Sequence, residues 1–571
     1  MVSNLGSDTS RGMSNKLRVG VLVESNFIPK WAFKMLERIN GSNYSEMILI
    51  VRNDKSTKIQ KSIFKKIKDK LPYLLYAAFI RVANKTKKLE PNAFDLLDIL
   101  KLFPNVPNIS VVPIQKKFSD FFSKDDINKI KSSNVDVFIR LGFRILRGDI
   151  LTCAKYGIWS YHHGDNRKNR GAPPGFWEVL EMWPETGSIL QILTESLDEG
   201  IVLSRSYSQT DPRYHLIYFL NNKNSYYWKT LSFLPRKLEE LYILGEEEFL
   251  TRIRKENQHP FFYSNRLYTT PRNAEFIASA FKHYLIYIWR KLPSLLYTNK
   301  WILLYRLIPN KEFSTSFWRF KKLIPPKDRY WADPFVVYEK DKHFVFIEEF
   351  MYESRKAHIS YLTLDKDGNW STPRKIIDES YHLSYPFIFS HKNEYYMIPE
   401  SASNRTIDLY KCVKFPDEWE HAQTLMKDIY AVDATLLYKD GIWWLFANII
   451  KNEGASSLDE LFLFYSSDLF SQNWIPHPKN PVVSDVKSSR PAGKIFSYNE
   501  NLYRPSQNNC YRYGYGMKIN QIITLTRDDY KEICVNNIEP MWDKMIKGVH
   551  TLNFSKGLTM IDGLMKKTKY F

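Results

Sequence analysis

Apolar runs of strand length alternate with segments of helical spacing along the amino-terminal part of the chain. The run KLRVGVLVES predicts a buried strand, and NFIPKWAFKMLERING follows it with apolar residues at helical spacing and a closing glycine. EMILIVRN, NVDVFIRLGF and YGIWSYHH predict three further strands. Strands that alternate with helices indicate a parallel, Rossmann-like α/β sheet, whose ligands collect at the carboxyl ends of its strands.

Near residue 306 the pattern changes to short strands separated by polar turns. Five segments each consist of a strand, a polar turn and a second strand, and they start at Asp333, Tyr385, Asp433, Arg490 and His550. Such units, repeated at a period of roughly fifty residues, predict an all-β propeller with five blades. The residues before them, 206–305, have helical spacing with many aromatic and basic side chains, which predicts a helical connector.

The length of 571 residues is too great for a single hydrophobic core, so a multidomain protein is expected. The predicted parts are a disordered tail at 1–13, the α/β domain at 14–205 with a basic helical insertion at about 54–101, the connector at 206–305 and the propeller at 306–571. Met13 is an alternative start, and neither a signal peptide nor a membrane-spanning run is expected. The four cysteines are too far apart for a zinc motif or a disulfide framework, which favours a cytoplasmic protein without a bound metal.

Part of the net charge of +20 is concentrated in the basic insertion, where ten Lys and one Arg stand against two Asp between Asp54 and Lys88. A solvated helical insertion is the first interpretation. Contact with anionic lipid head groups or lipid-linked substrates, at the inner face of a membrane, is the second, and nucleic-acid binding is the least favoured. The aromatic stretch from Tyr284 to Tyr305 favours packing between domains over a membrane-surface helix.

The segment YHHGDNRKNRGAPPGFW at 161–177 is predicted to be a loop, because paired prolines and flanking glycines interrupt both helix and strand. Together with DVFIRLGFRIL before it and ETGSILQILTESLDEGIVL after it, this segment resembles the catalytic core of the folate-dependent formyltransferases, which include sugar N-formyltransferases and methionyl-tRNA formyltransferase. The resemblance covers residues 135–204. It implies a Rossmann-like domain that uses 10-formyltetrahydrofolate as a co-substrate.

The same resemblance implies roles for individual residues. His162 and Asp198 occupy the catalytic positions, where they would stabilise an oxyanion and help to remove the proton of the attacking amine. Ser160 stands where the family has asparagine, so His163 or Asn166 is a candidate substitute donor. The residues implied for folate binding are Leu141, Gly142, Phe143, Ile145 and Leu146 at a strand end, with Arg170 and Gly171 in the loop. For Ile145 and Leu146, ordinary packing is an equal alternative.

Residues 310–566 resemble the five-bladed propellers of the arabinanase and invertase type, and the propeller at the front of plant glucosamine inositolphosphorylceramide transferases. The resemblance places Asp333 at the position of an axial base and Asp433 at that of a supporting aspartate. Arg490, His550 and Glu400 complete the set that is expected near the axis. Because a clear paired proton donor is missing, this set favours a polar funnel that binds a sugar or a phosphate over a hydrolase.

The sequence therefore predicts an N-formyltransferase-like enzyme of surface polysaccharide or glycoconjugate synthesis. It would formylate the amine of a nucleotide- or lipid-linked amino sugar, while the propeller binds the glycan. Two alternatives stay open. In one, the propeller is a glycosidase or a glycosyl transferase beside an inactive formyltransferase-like domain; in the other, the protein is a non-catalytic glycan-binding scaffold. No nucleic acid is expected as a partner.

Overall fold

The computed structural model describes residues 15–54, 68–196, 199–213 and 215–569. The protein is multidomain and mostly β, with several helices, and it divides into two compact units. The first unit contains the residues through Ser206, Arg213–Tyr284 and Asn452–Ala455. The second unit contains Tyr207–Pro212, Leu285–Lys451 and the residues from Ser456 onward.

The helices and strands have the following bounds. The helices are α1 Lys30–Asn40, α2 Leu74–Thr86, α3 Lys124–Lys131, α4 Phe176–Leu180, α5 Phe219–Thr230, α6 Phe233–Glu256, α7 Asn273–Lys291 and α8 Pro293–Leu296. The strands through residue 268 are β1 Leu17–Val23, β2 Phe27–Pro29, β3 Ser45–Asn53, β4 Leu96–Asp98, β5 Asn108–Val111, β6 Ile114–Lys116, β7 Ser119–Phe121, β8 Val137–Arg140, β9 Ile145–Leu146, β10 Ile158–His162, β11 Arg170–Gly171, β12 Glu185–Ile192, β13 Ile201–Gln209 and β14 Leu267–Tyr268. Within the described ranges, no helix is both long enough and apolar enough to cross a membrane.

The later strands follow one another with little helix between them. They are β15 Tyr297–Leu307, β16 Lys321–Leu323, β17 Arg329–Glu339, β18 Lys342–Met351, β19 Lys356–Leu364, β20 Arg374–Ile377, β21 Ser384–His391, β22 Glu394–Ser401, β23 Thr406–Lys414, β24 Glu418–Lys427, β25 Ala431–Lys439, β26 Ile442–Ile449, β27 Leu461–Ser466, β28 Ile475–Pro476, β29 Phe496–Tyr498, β30 Asn501–Asn508, β31 Gly516–Leu525, β32 Tyr530–Ile538, β33 Leu552–Ser555 and β34 Leu558–Thr568.

A seven-stranded sheet in the order β13-β12-β10-β8-β1-β3-β5 organises the first unit. Strands β10, β8, β1, β3 and β5 run parallel, whereas β12 pairs antiparallel with β10. The apolar run of β1 is buried from end to end except at Arg18, because layers of side chains cover both faces of this central strand. The carboxyl ends of β8 and β10 lie side by side, with Arg140 opposite Ser160.

The segment 206–305, predicted as a connector, does not form a separate part. Tyr226 of α5 and Leu234 and Leu238 of α6 are buried in the same hydrophobic cluster as Leu17 and Val19 of β1. These helices thus supply part of the core of the first unit. The end of the segment forms strand β15 rather than helix, which is a difference from the prediction.

Five four-stranded antiparallel sheets make up most of the second unit. Four of them use consecutive strands, β17 to β20, β21 to β24, β25 to β28 and β29 to β32. The fifth sheet has the order β16-β15-β34-β33, so it combines the first and the last strands of the unit. The β15–β34 pair is continuous from Tyr297 opposite Thr568 to Leu307 opposite Leu558. Each of the five predicted strand–turn–strand segments falls in one of these sheets.

The first strands of three sheets share a backbone irregularity. The pairing with the second strand shifts register after Ala332, Ser384 and Val432, as in a β-bulge. The next residues, Asp333, Tyr385 and Asp433, have φ values of 50°, 44° and 53°. A left-handed backbone is unfavourable for residues with a side chain, and such strain concentrates at functional sites. At each bulge the side chain of this residue departs from the regular up-and-down alternation of the strand.

Candidate functional site

The polar residues predicted near the axis of the second unit meet in one buried cluster, which we call the ionic cluster. Its members are Asp333, Glu400, Asp433, Arg490, His550 and Asp562. Five of these six were predicted from the sequence, and Asp562 was not. All of them have less than about one seventh of the side chain exposed, so their charges interact in a medium that screens weakly.

One half of the ionic cluster is centred on His550. Its Nδ1 forms an ion pair with the Asp562 carboxylate, and its Nε2 lies 3.7 Å from Oδ1 of Asp333. The backbone N–H groups of His550 and Thr551 also donate to Asp562 Oδ1, at 2.8 and 3.1 Å. Burial lowers the pKa of His550, but the carboxylates of Asp562 and Asp333 outweigh burial and raise this pKa to about 9. The imidazole is therefore a cation at neutral pH.

Asp333 is held in place by hydrogen bonds from two other sheets. The Thr551 hydroxyl donates to Oδ1 at 2.5 Å, and the Tyr385 backbone N–H donates to Oδ2 at 3.2 Å. Burial and the neighbouring acidic groups raise the pKa of Asp333 to about 7, although His550 opposes them. A carboxyl group with this pKa can both accept and release a proton near neutral pH.

The other half of the ionic cluster is centred on Arg490. Its Nε donates to Asp433 Oδ2 at 2.5 Å, and its Nη2 donates to Asp433 Oδ1 at 3.2 Å and to Glu400 Oε2 at 3.4 Å. The Gln507 side-chain amide donates to Asp433 Oδ2 at 2.8 Å. Burial and the Asp433 carboxylate raise the pKa of Glu400 well above its ordinary range, with Arg490 opposing them. Burial therefore favours the protonated form of Glu400.

A half-exposed aromatic ring adjoins both halves of the ionic cluster. Tyr513 is 39% exposed, and its ring lies 5.0 Å from the Arg490 guanidinium and edge-on to His550 at 5.2 Å. The other face of His550 stacks on Trp301 at 4.2 Å. An aromatic surface beside buried polar groups is typical of a site that binds a small polar ligand. Together with Glu400, whose pKa is raised, this arrangement can bind a sugar and move protons.

Three members of the ionic cluster also have the chemistry of cation ligands. One oxygen or nitrogen atom from each of Asp333, His550 and Asp562 lies within 4.8 Å of the other two. The imidazole must lose its proton before it can bind a metal, so binding of a cation by this trio would release a proton.

The catalytic residues predicted in the first unit are only partly brought together. His162 ends β10, and its Nε2–H donates to the Asn169 carbonyl at 2.8 Å. Ser160 is buried and accepts a hydrogen bond from Arg140 Nη1 at 3.2 Å. Asp198, the predicted partner of His162, lies outside the described residues. The predicted contact between His162 and Asp198 therefore stays a prediction.

His163 lies in an aromatic cluster. Its ring stacks on Tyr227 at 3.7 Å and on Tyr161 at 5.5 Å, and it meets Trp31 edge-on at 5.6 Å. Burial lowers the pKa of His163 well below its usual value, so the ring is neutral. Within the described part of the chain, its Nδ1 has no hydrogen-bond partner. This packing role could not be predicted from the sequence HH alone.

The strand-end residues predicted as a folate pocket have structural roles. The N–H groups of Leu141 and Gly142 donate to the Leu22 carbonyl, and a Cβ at Gly142 would lie 2.2 Å from the Glu24 nitrogen. Phe143 is buried with a φ of 65°. Ile145 and Leu146 form β9, which pairs with β7. For Ile145 and Leu146, strand pairing matches the packing alternative.

The two loop residues of the same prediction are also engaged. Arg170 donates to Glu199 Oε1 at 2.5 Å and to the Asn166 carbonyl at 3.0 Å, and it covers the Tyr263 ring at 4.5 Å. Gly171 pairs with Tyr268 in the short β11–β14 ladder. These contacts fix the loop that follows β10.

Comparisons with known proteins address the second unit first. Residues 325–557 match the family model described as "Glucosamine inositolphosphorylceramide transferase 1, N-terminal". Glucosamine inositolphosphorylceramide transferase 1 of Oryza sativa subsp. japonica is 36% identical over 208 residues, which are 36% of this chain and 28% of the rice protein. The matched region thus spans less than a third of that plant relative.

Two further comparisons are weaker. Methionyl-tRNA formyltransferase of Prochlorococcus marinus (strain MIT 9215) is 35% identical over 78 residues, which are 14% of this chain and 24% of that protein. The family 117 glycoside hydrolase Zg3597 of Zobellia galactanivorans aligns with 47% of this chain and 92% of its own, at 12% identity and a TM-score of 0.31. A similarity at that score carries no argument about function.

These findings correct the predicted function. The relatives with extended matches are named as glucosamine inositolphosphorylceramide transferases, whereas the formyltransferase match covers only 14% of the chain. The prediction of a one-carbon transferase that uses 10-formyltetrahydrofolate was therefore wrong. The alternative in which the protein is a glycosyl transferase fits the findings better, although it fits them only in part.

Proposed function

We propose that the protein acts in the transfer of a sugar to a glycoconjugate and that its second unit binds the sugar at the ionic cluster. The observation that carries the proposal is the convergence of four side chains from four different sheets on one buried site. Asp333 and Asp433 lie within β17 and β25, and Arg490 and His550 precede β29 and β33. The similarity of residues 325–557 to glucosamine inositolphosphorylceramide transferases supports glycosyl transfer, with glucosamine as the class of sugar.

The proposal includes a five-bladed propeller as the architecture of the second unit. The series of five four-stranded sheets is closed by a sheet built from both ends of the unit, as a propeller requires. The Tyr385 hydroxyl of the second sheet contacts Thr435 of the third sheet at 2.9 Å. It also accepts a hydrogen bond from the Gly493 N–H of the fourth segment at 2.8 Å. First strands that are apart in sequence can share such contacts when they line a common axis.

The protonation states of the ionic cluster support proton transfer to and from a sugar. Because burial favours the protonated form of Glu400, this side chain is the candidate to protonate the oxygen that leaves the sugar when the glycosyl bond breaks. Asp333, with a pKa of about 7, can accept the proton of the attacking hydroxyl. Arg490 offers a cation for hydroxyl or phosphate oxygens, and Tyr513 offers an aromatic face to the ring. The sugar would lie against Tyr513.

Calorimetric titration with glucosamine and with glucosamine 1-phosphate tests the binding site. We expect the wild-type protein to bind at least one of them with an affinity between about 1 μM and 1 mM, the usual range for substrates. Tyr513→Ala should lower the affinity by about tenfold, because the half-buried ring loses its contact with the sugar. Tyr438→Ala is the matched control, because this exposed tyrosine contacts His391 and Trp443 instead.

A second variant separates binding from catalysis. Glu400→Gln keeps the shape of the side chain and its contact with Arg490 but cannot donate a proton to a leaving group. It should therefore bind the sugar with an affinity close to that of the wild type and lose transfer activity.

Equal losses of affinity in Tyr513→Ala and Tyr438→Ala, or no binding of either sugar to the wild type, would contradict the proposal. A cytoplasmic location stays a prediction.

A further inference from the structure

Helix α7 exposes a continuous stripe of large apolar side chains. Ile277, Phe281, Leu285, Ile288 and Trp289 follow one another at intervals of one, three or four residues, and each is more than half exposed. Phe281 is 66% and Trp289 is 78% exposed. Single exposed apolar residues are ordinary on protein surfaces, but a row of five along one face marks a surface that binds something.

The opposite face of α7 is already used for packing. His283 is buried, with its Nδ1 3.0 Å from the Leu180 carbonyl, and Phe276 contacts Tyr76 and Phe79 of α2 at ring distances of 6.4 and 5.7 Å. The inner face therefore anchors the amino-terminal part of the helix. The exposed apolar residues of the outer face do not take part in these packing contacts.

Helix α2 lies against the start of α7 and also exposes apolar side chains. The Asn273 side chain donates to the Leu71 carbonyl at 2.7 Å and accepts from the Leu75 N–H at 3.1 Å, which joins the amino-terminal ends of the two helices. Leu71, Leu74 and Val82 are each more than half exposed. Both helices thus have apolar residues on an outer face as well as an inner one.

Positive charges accompany this apolar surface. Between residues 68 and 88 there are six Lys and Arg against one Asp. On α7, Lys282 follows Phe281, and Arg290 and Lys291 follow Trp289. Glu275, the one acidic residue of α7, pairs with Arg266 at 2.5 Å. The outer surface therefore combines apolar side chains, a tryptophan and an excess of cations.

We propose that the outer faces of α2 and α7 bind the surface of an anionic lipid bilayer. A helix that lies in the interface inserts its apolar side chains among the acyl chains, while Lys and Arg contact the head groups. Tryptophan is favoured at the depth where head groups meet acyl chains. A second copy of the chain is the less suitable occupant, because a symmetric contact would bring two positive surfaces together. This binding is independent of the sugar chemistry at the ionic cluster.

Co-sedimentation of the full chain with lipid vesicles tests this proposal. We expect the protein to sediment with vesicles that contain phosphatidylglycerol and to stay in solution with vesicles of phosphatidylcholine alone. Added salt should weaken the binding, because salt screens the attraction between surface charges and head groups. Lys85→Glu combined with Lys282→Glu should lower the affinity for the anionic vesicles by about tenfold, since each reversal removes a favourable charge and adds a repulsive one.

Tryptophan variants distinguish insertion of side chains into the bilayer from electrostatic attraction to the head groups. Trp289→Ser should weaken binding to the anionic vesicles by about tenfold, because the exposed ring no longer enters the bilayer. Trp318→Ser is the matched control, since Trp318 is 66% exposed and lies outside α2 and α7. Circular dichroism checks that each variant is folded.

Three results would overturn the proposal. The first is failure of the folded wild type to sediment with the anionic vesicles, and the second is equal binding of Trp289→Ser and Trp318→Ser to them. The third is self-association of the wild type in light scattering that Trp289→Ser abolishes while vesicle binding is absent, which would assign the surface to a second copy.

Discussion

His550 keeps its proton because two buried carboxylates surround it. The ordinary pKa of 6.5 rises to about 9 in the folded protein, so the folded state binds this proton more tightly than the unfolded state does. A group whose pKa is raised by folding stabilises the fold fully below its unfolded pKa, and this contribution is lost as the pH rises through the folded pKa. The contribution of His550 should therefore be present below pH 6.5 and disappear through about pH 9.

His550→Gln tests this linkage, because glutamine keeps a polar side chain but cannot carry the charge. The free energy of unfolding of the second unit, measured by urea denaturation, should be lower in the variant than in the wild type below pH 6.5. The difference should shrink as the pH rises past about 9, where the wild type also loses the charge. A difference that is the same at every pH would show that the ion pairs with Asp562 and Asp333 do not hold the proton.

Single residues also show what a sequence can predict. Asp333, Asp433, Arg490 and His550 were found because each marks the start of a repeated segment, which is a local pattern. Asp562 has no such mark, since it lies inside an apolar strand, and its contact with His550 depends on the pairing of β33 with β34. A buried charge in a strand was the one signal that could have identified it.

Among the elements, β15 is the one that the sequence misassigned most clearly. Its partner β34 lies more than 250 residues further along the chain, and local periodicity cannot reveal a pairing at that distance. The strands of the other four sheets pair with near neighbours in sequence and were therefore predictable as strand–turn–strand segments. The strands of the α/β sheet were also predictable, because a buried parallel strand is a continuous apolar run.

Leu303→Ala tests the contribution of β15 to the second unit. Leu303 is fully buried and packs with Val336, Val345 and Leu558, so its truncation leaves a cavity and should lower the free energy of unfolding by roughly 2–5 kcal/mol. Leu307→Ala, at the exposed end of the same strand, should cost less than about 1 kcal/mol. Similar effects of the two changes in chemical denaturation would show that β15 is peripheral to the fold.

For the whole molecule, the fold of the first unit was a poor guide to function. The motifs around His162 lie at the carboxyl edge of a parallel sheet, as predicted, but many unrelated activities use such an edge. The longer match to known proteins lies in the second unit, which also contains the buried ionic cluster. The motifs within residues 135–204 were therefore not sufficient to predict the activity of the whole protein.

A crystal structure of the protein with glucosamine 1-phosphate tests the central claim most directly. We expect the sugar ring against Tyr513, with polar atoms of the ligand within hydrogen-bond distance of Arg490 and Glu400. Arg490 and Glu400 should keep their contact with each other, because it is formed before the ligand binds. A ligand bound instead at the carboxyl edge of the first sheet, near His162, would contradict the assignment of sugar binding to the second unit.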